Sequence, residues 1–139
     1  MLKSKLLHPE ILSALARNGH GSRLLIADGN YPFTTGVPEN AQKVFLNLAP
    51  GLISVTEVLQ IIRDAISIES YFVMLPPDEV PQAIHEEFME ILGESIPVIK
   101  MKKIDFYKEA RALDTCLVIA TGEIRRFANI LITIGVVKY

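Results

Sequence analysis

A chain of 139 residues, half of them hydrophobic, can bury one sizeable core, so a single domain over residues 1–139 is expected. Fourteen basic and 16 acidic residues leave a net charge of −2, which gives no electrostatic footprint for nucleic acid. No apolar run approaches the ~20 residues that cross a bilayer, and the single cysteine, Cys116, excludes an internal disulfide and a zinc knuckle.

Pro9 suits a first helical position, and Ile11, Leu12 and Leu15 share the face of a helix that Gly19 is expected to stop. The apolar run Arg23–Ala27 reads as a buried strand, and residues 43–48 as a second. Ser54 and Glu57 have the spacing of a capping box, in which each side chain satisfies a backbone N–H of the other. Val55, Val58, Leu59, Ile62, Ala65 and Ile66 follow at helical spacing. Residues 71–75 form a third strand, ended by Pro76-Pro77. Ile84, Phe88, Ile91 and Leu92 mark a helix closed by Gly93. A fourth strand over 97–101, a short helix over 105–112 and strands over Thr115–Ala120 and 130–137 complete the chain. This alternation predicts a three-layer α/β/α fold around a mostly parallel six-stranded sheet. The last two strands have no helix between them and are expected to pair antiparallel, which makes the sheet mixed. Cys116 falls in an apolar strand, where cysteine is an inert core residue.

His20 stands out among the polar residues. It lies between Gly19 and Gly21, just before the first strand, and imidazole exchanges protons near neutral pH, with an unperturbed pKa of about 6.5. The same strand delivers Asp28 into a loop rich in glycine and proline. Asp28-Gly29-Asn30 reads equally as a plain turn, because Asp and Asn bond locally to the backbone. Two familiar motifs fail. Leu24 stands where a dinucleotide fingerprint needs its third glycine, and Met89 where a zinc-protease helix needs its second histidine. His85 is accordingly expected at the surface, and Arg125-Arg126 as a solvated basic pair. No nucleophile elbow, metal cluster or phosphate loop is present, so neither cofactor nor metal is expected.

The segment from Gly19 through His20, Asp28 and Asn30 to Pro32 resembles the N-terminal signature of the D-ribose pyranase and L-fucose mutarotase family. Asp105-Phe106-Tyr107, Thr121-Gly122-Glu123 and Phe127-Ala128-Asn129-Ile130-Leu131 agree in order, while residues 34–102 resemble it weakly. The resemblance implies a small cytoplasmic enzyme that interconverts the cyclic forms of a free monosaccharide. It implies His20 as proton donor, and Asp28, Lys103, Tyr107, Phe127, Ala128 and Asn129 as sugar-binding residues. It also implies a homo-oligomer, a decamer or pentamer with pockets at subunit boundaries, in keeping with a mean hydropathy of +0.31. The opening Met1-Leu2-Lys3-Ser4-Lys5 lacks the features of a signal peptide, which agrees with the cytoplasm.

Ring opening needs a proton taken from the anomeric hydroxyl and another given to the ring oxygen, for which one histidine and one carboxylate suffice. Two departures from the family bear on substrate. Phe127 replaces the usual tyrosine, and Lys103 stands where the fucose branch carries arginine. Phe106-Tyr107 and Gly21 lean toward fucose rather than ribose. Asn129 reads alternatively as a backbone-satisfying residue, and Tyr107 as a half-buried core aromatic. Two other functions stay open on the sequence: a sugar-binding module that has lost activity, and a nucleotide-binding α/β domain. Geometry adds a constraint. A strand from Ser22 to Ala27 spans roughly 20 Å, so His20 and Asp28 fall at its opposite ends. A shared pocket then needs a loop that folds back, or residues from two subunits.

Overall fold

His8 opens the first helix, α1 (Pro9–Arg17), in the computed structural model, which describes residues 1–139. Its Nδ1 accepts from the Ile11 N–H at 3.5 Å. Asn18 ends the helix in an extended conformation, its side-chain amide on the Ala14 carbonyl at 2.8 Å. Gly19 is therefore not a left-handed cap. The left-handed glycine is Gly21 (φ 84°), which turns the chain into β1 (Arg23–Ala27).

Next come β2 (Gln42–Phe45), α2 (Val55–Arg63), β3 (Ile68–Leu75) and α3 (Ala83–Leu92), followed by β4 (Val98–Lys102), α4 (Lys103–Ala110), β5 (Thr115–Ala120) and β6 (Ile130–Ile134). The capping box at Ser54 and Glu57 is formed in both directions. No helix is long and apolar enough to cross a membrane.

The sheet order is β2-β5-β1-β6-β3-β4. Neighbours pair in parallel except around β6, which runs antiparallel to both β1 and β3. The mixed sheet expected from the sequence is present, but its origin differs. β5 and β6 do not pair, because β1 lies between them. The bare connection after β5 crosses over β1's end and reverses direction there.

Alternate side chains of β1 point to opposite faces, Leu24 and Ile26 to one and Leu25 and Ala27 to the other. On the first face α1, α2 and α3 supply Ile11, Leu59, Ile62 and Phe88 to a cluster of 22 buried residues. The second cluster has 11, so this layer is thinner, and it is made of α4 together with the loop that follows β1. Phe106 and Ala110 from α4 and Tyr31, Val37 and Ala41 from the loop cover this side. The cavity described next opens at its edge. Cys116 is buried, and burial pushes its thiol pKa up, as suits an inert core residue.

Candidate active site

Five of the seven residues singled out in the sequence line one cavity. It holds about 610 Å³ and takes Asp28, Asn30 and Tyr31 from the loop after β1 and Lys102 from the end of β4. Lys103 and Tyr107 come from α4, and Phe127 and Asn129 from the turn before β6. All these positions lie at the carboxyl ends of the parallel strands. The reversed direction of β6 brings its amino end to the same edge.

Asp28 is the centre of the hydrogen-bonding. It is 2% exposed, and its Oδ1 accepts from the Asn30 N–H at 3.0 Å. Its Oδ2 accepts from the Ala128 N–H at 3.2 Å and from Asn129 Nδ2 at 3.1 Å. Asn129 completes the exchange by accepting the Asp28 N–H on Oδ1 at 2.8 Å. Burial raises the Asp28 pKa above the ordinary carboxylate value, and the hydrogen bonds from Asn30, Ala128 and Asn129 oppose that rise. The turn and the site are thus one object: Oδ1 closes an Asx-turn while Oδ2 ties β1 to β6.

The turn is buttressed from below. Thr121 Oγ1 donates to the Ala27 carbonyl at 2.8 Å, and Gly29 N–H donates to the Glu123 carbonyl at 2.9 Å. Glu123, buried, receives Nε and Nη2 of Arg125 on its two oxygens, each at 3.0 Å, and these bonds help hold its pKa below the usual range against burial. Arg125 also pairs with Glu87 on α3. The Thr121-Gly122-Glu123 stretch therefore acts on the site through backbone support.

The aromatic wall is built around Tyr31. Its hydroxyl donates to the Gly36 carbonyl at 2.6 Å, and its ring meets that of Tyr107 edge-on at 5.1 Å. Tyr107 is half-buried and lines the cavity, so its two readings coexist. Lys103 Nζ lies 5.4 Å from the Tyr107 ring centre, and the Arg126 guanidinium lies 5.4 Å from that of Phe127. Phe127 itself has a positive φ of 58°.

Two of the seven residues sit elsewhere. Ala128 is fully buried with its side chain in the larger core cluster, and only its N–H reaches Asp28. His20 stands at the opposite edge of the sheet, about half exposed, with Nε2 3.0 Å from Glu69 Oε1 at the start of β3. No fold-back of the 20–23 segment brings it to Asp28 within one chain.

Three residues without a site role in the sequence analysis surround the cavity: Tyr31 and Arg126 line it, and His85 lies behind it. Tyr31 lay within the quoted signature, and Arg126, expected as solvated, is exposed but faces the cavity. His85 is not a free surface residue. It is part-buried, with Nε2 2.9 Å from the Phe127 carbonyl, and burial lowers its pKa. The charged neighbours Glu86 and Glu87 hide that inward position in the sequence. No group of three or more His, Cys, Asp or Glu side chains is gathered anywhere to hold a metal ion.

An open cavity with a buried carboxylate at the carboxyl ends of parallel strands is where α/β proteins take small polar ligands. Comparison with known proteins narrows the class: the model of the RbsD / FucU transport protein family matches residues 1–137, and the chain belongs to that family. It is 30% identical over 141 residues to the D-ribose pyranase of Bacillus cereus (strain G9842), with 99% of each chain covered. The D-ribose pyranase of Variovorax paradoxus (strain S110) is 29% identical, with 98% of each covered. Among solved structures, Bacillus subtilis RbsD complexed with D-ribose matches with a TM-score of 0.85 at 25% identity, covering 99% of this chain and 100% of that one. The fucose mutarotase of Streptococcus pneumoniae in complex with L-fucose shares the fold, with a TM-score of 0.81 at 22% identity over 99% and 100% of the two chains.

Proposed function

We propose that the chain is a monosaccharide mutarotase or pyranase, which opens and recloses the ring of a free sugar by general acid–base chemistry. The observation that carries this reading is the Asp28 clamp: a buried carboxylate fixed by Asn30, Ala128 and Asn129 at the wall of an open cavity with room for a monosaccharide. A carboxylate held by three donors keeps lone-pair capacity for a sugar hydroxyl and does not have to reorganise when the sugar arrives.

Proton transfer falls to His20. Glu69 can only accept while ionised, so Nε2 carries the hydrogen toward it and Nδ1 is left to take and return the proton. Because His20 lies at the far edge of the sheet from Asp28, the complete site combines the cavity of one copy with His20 of a second. The protein then works as a homo-oligomer, a decamer or pentamer, in the cytoplasm, without metal or cofactor. Phe106-Tyr107 and Gly21 favour a fucose-like sugar, whereas Lys103 in place of the fucose branch's arginine and the relatives named D-ribose pyranase speak against it.

Exchange NMR on L-fucose, D-ribose and D-galactose tests this. Anomer or ring-form exchange above the uncatalysed rate supports it. Binding without exchange favours the second reading, a sugar-binding module, which the missing hydroxyl at Phe127 recommends. The shared site has its own test. Inactive His20→Ala and Asp28→Ala chains, unfolded and refolded together, should regain exchange that neither shows alone, and silence of the mixture would refute it.

A further inference from the structure

Behind the cavity wall, His85 touches neither the cavity nor the reacting groups assigned above. It belongs to the first turn of α3, with its ring 6.1 Å from that of Phe88. Its single polar contact is the Phe127 carbonyl at 2.9 Å. A carbonyl only accepts, so Nε2 carries the hydrogen. Burial keeps the ring neutral near pH 7, which agrees with one fixed tautomer.

The carbonyl it holds belongs to a residue in an unusual conformation. Phe127 has φ 58°, the left-handed region that disfavours any residue with a Cβ. Such a conformation persists only where its surroundings over-determine it. Here it has a clear local effect, because the next two residues supply the donors to Asp28: the Ala128 N–H at 3.2 Å and Asn129 Nδ2 at 3.1 Å. Were Phe127 to relax to negative φ, the Ala128 N–H would turn away from Oδ2 and the Asn129 side chain would lose its register with β1.

We infer that His85 is the positioning residue of this site: from α3 it pins the left-handed Phe127, and through that backbone it aims the Ala128 and Asn129 donors at Asp28. This rests on the cavity being the sugar site only for its effect on sugar. Its effect on the Ala128 amide is independent of any ligand. The chain of contacts also gives α3, which lines no part of the cavity, a hold on the carboxylate at its centre.

The test compares His85→Gln with His85→Asn. Glutamine places an amide donor near the position of Nε2, while asparagine, one methylene shorter, does not reach. In ligand-free protein, H85N should shift the Ala128 amide resonance and speed its hydrogen exchange about tenfold, the loss of one modest hydrogen bond. H85Q should stay near the wild type. With sugar present, H85N should raise the half-saturating concentration by a similar factor, again with rescue in H85Q. Phe127→Gly supplies the coupling test. Glycine adopts φ 58° without the Cβ penalty, so H85N should disturb Ala128 several-fold less in that background. Equal effects of H85N and H85Q, an unmoved Ala128 amide, or an undiminished H85N effect in F127G would each overturn the inference. If the wild type neither binds nor exchanges any sugar, the sugar reading falls and the Ala128 response still decides the role of His85.

Discussion

Replacing Asp28 with alanine removes an acceptor that three donors share, and the cost can be worked from who is left behind. Asn30 is exposed and its N–H can turn to water, so two donors count, the buried Ala128 N–H and Asn129 Nδ2. A buried donor left unsatisfied costs about 1–3 kcal/mol. Relief of the desolvation that raises the Asp28 pKa returns part of this, so a net loss of about 2–4 kcal/mol is expected. Asparagine behaves differently. Its amide can rotate so that the oxygen receives both buried donors and the NH2 faces Asn30, which leaves one solvent-repairable conflict and a loss of about 1 kcal/mol. Urea unfolding followed by circular dichroism, at fixed protein concentration, should therefore rank wild type above D28N and D28N well above D28A. Equal midpoints for the two variants, or a wild-type midpoint for D28A, would refute the clamp as described.

The same residue fixes a pH dependence. Because the folded Asp28 pKa is raised, its proton contributes stability that is fully present below the unfolded value of 3.8 and lost as pH rises through the folded pKa, so wild type should gain on D28N as pH falls from 7 toward 4. Gly122→Ala should be severely destabilising, since a Cβ there would lie 2.2 Å from the Leu52 carbonyl oxygen, and thermal melts should show it. His20→Ala should abolish sugar exchange with little change in melting temperature, because the exposed imidazole makes one surface contact. A loss of stability comparable to D28A would instead mark His20 as structural.

Much of this architecture is legible in the residues. The alternation of apolar runs and capped helices placed β5 at its observed limits, Thr115–Ala120, and strand length alone separated His20 from Asp28. The partner of each strand was not legible. An apolar run records that a strand is buried and not which neighbour it meets, so the sequence suggests β5 as the partner of β6 where β1 takes that place. Glycine usually ends helices, which points to Gly19 as the stop, yet Asn18 ends this helix in extended form. Asp28 and Asn129, singled out by type and position, both line the cavity. The reciprocal bond between them spans 101 residues of sequence and leaves no local signature. His85 was missed for a related reason: its contact depends on how α3 packs beneath the turn before β6.

The placement of β6 has a consequence for how the molecule is made. The strand that joins β1 to β3 is the last of the six in the chain, and it sits in the interior of the sheet rather than at a margin. A polypeptide leaving the ribosome would hold β2-β5-β1 and β3-β4 as two unjoined ribbons, each with an open hydrogen-bonding edge, until Ile130–Ile134 emerge. A chain stopped before Ile130 would thus be split down the middle of its sheet, with the β1 and β3 seams both exposed.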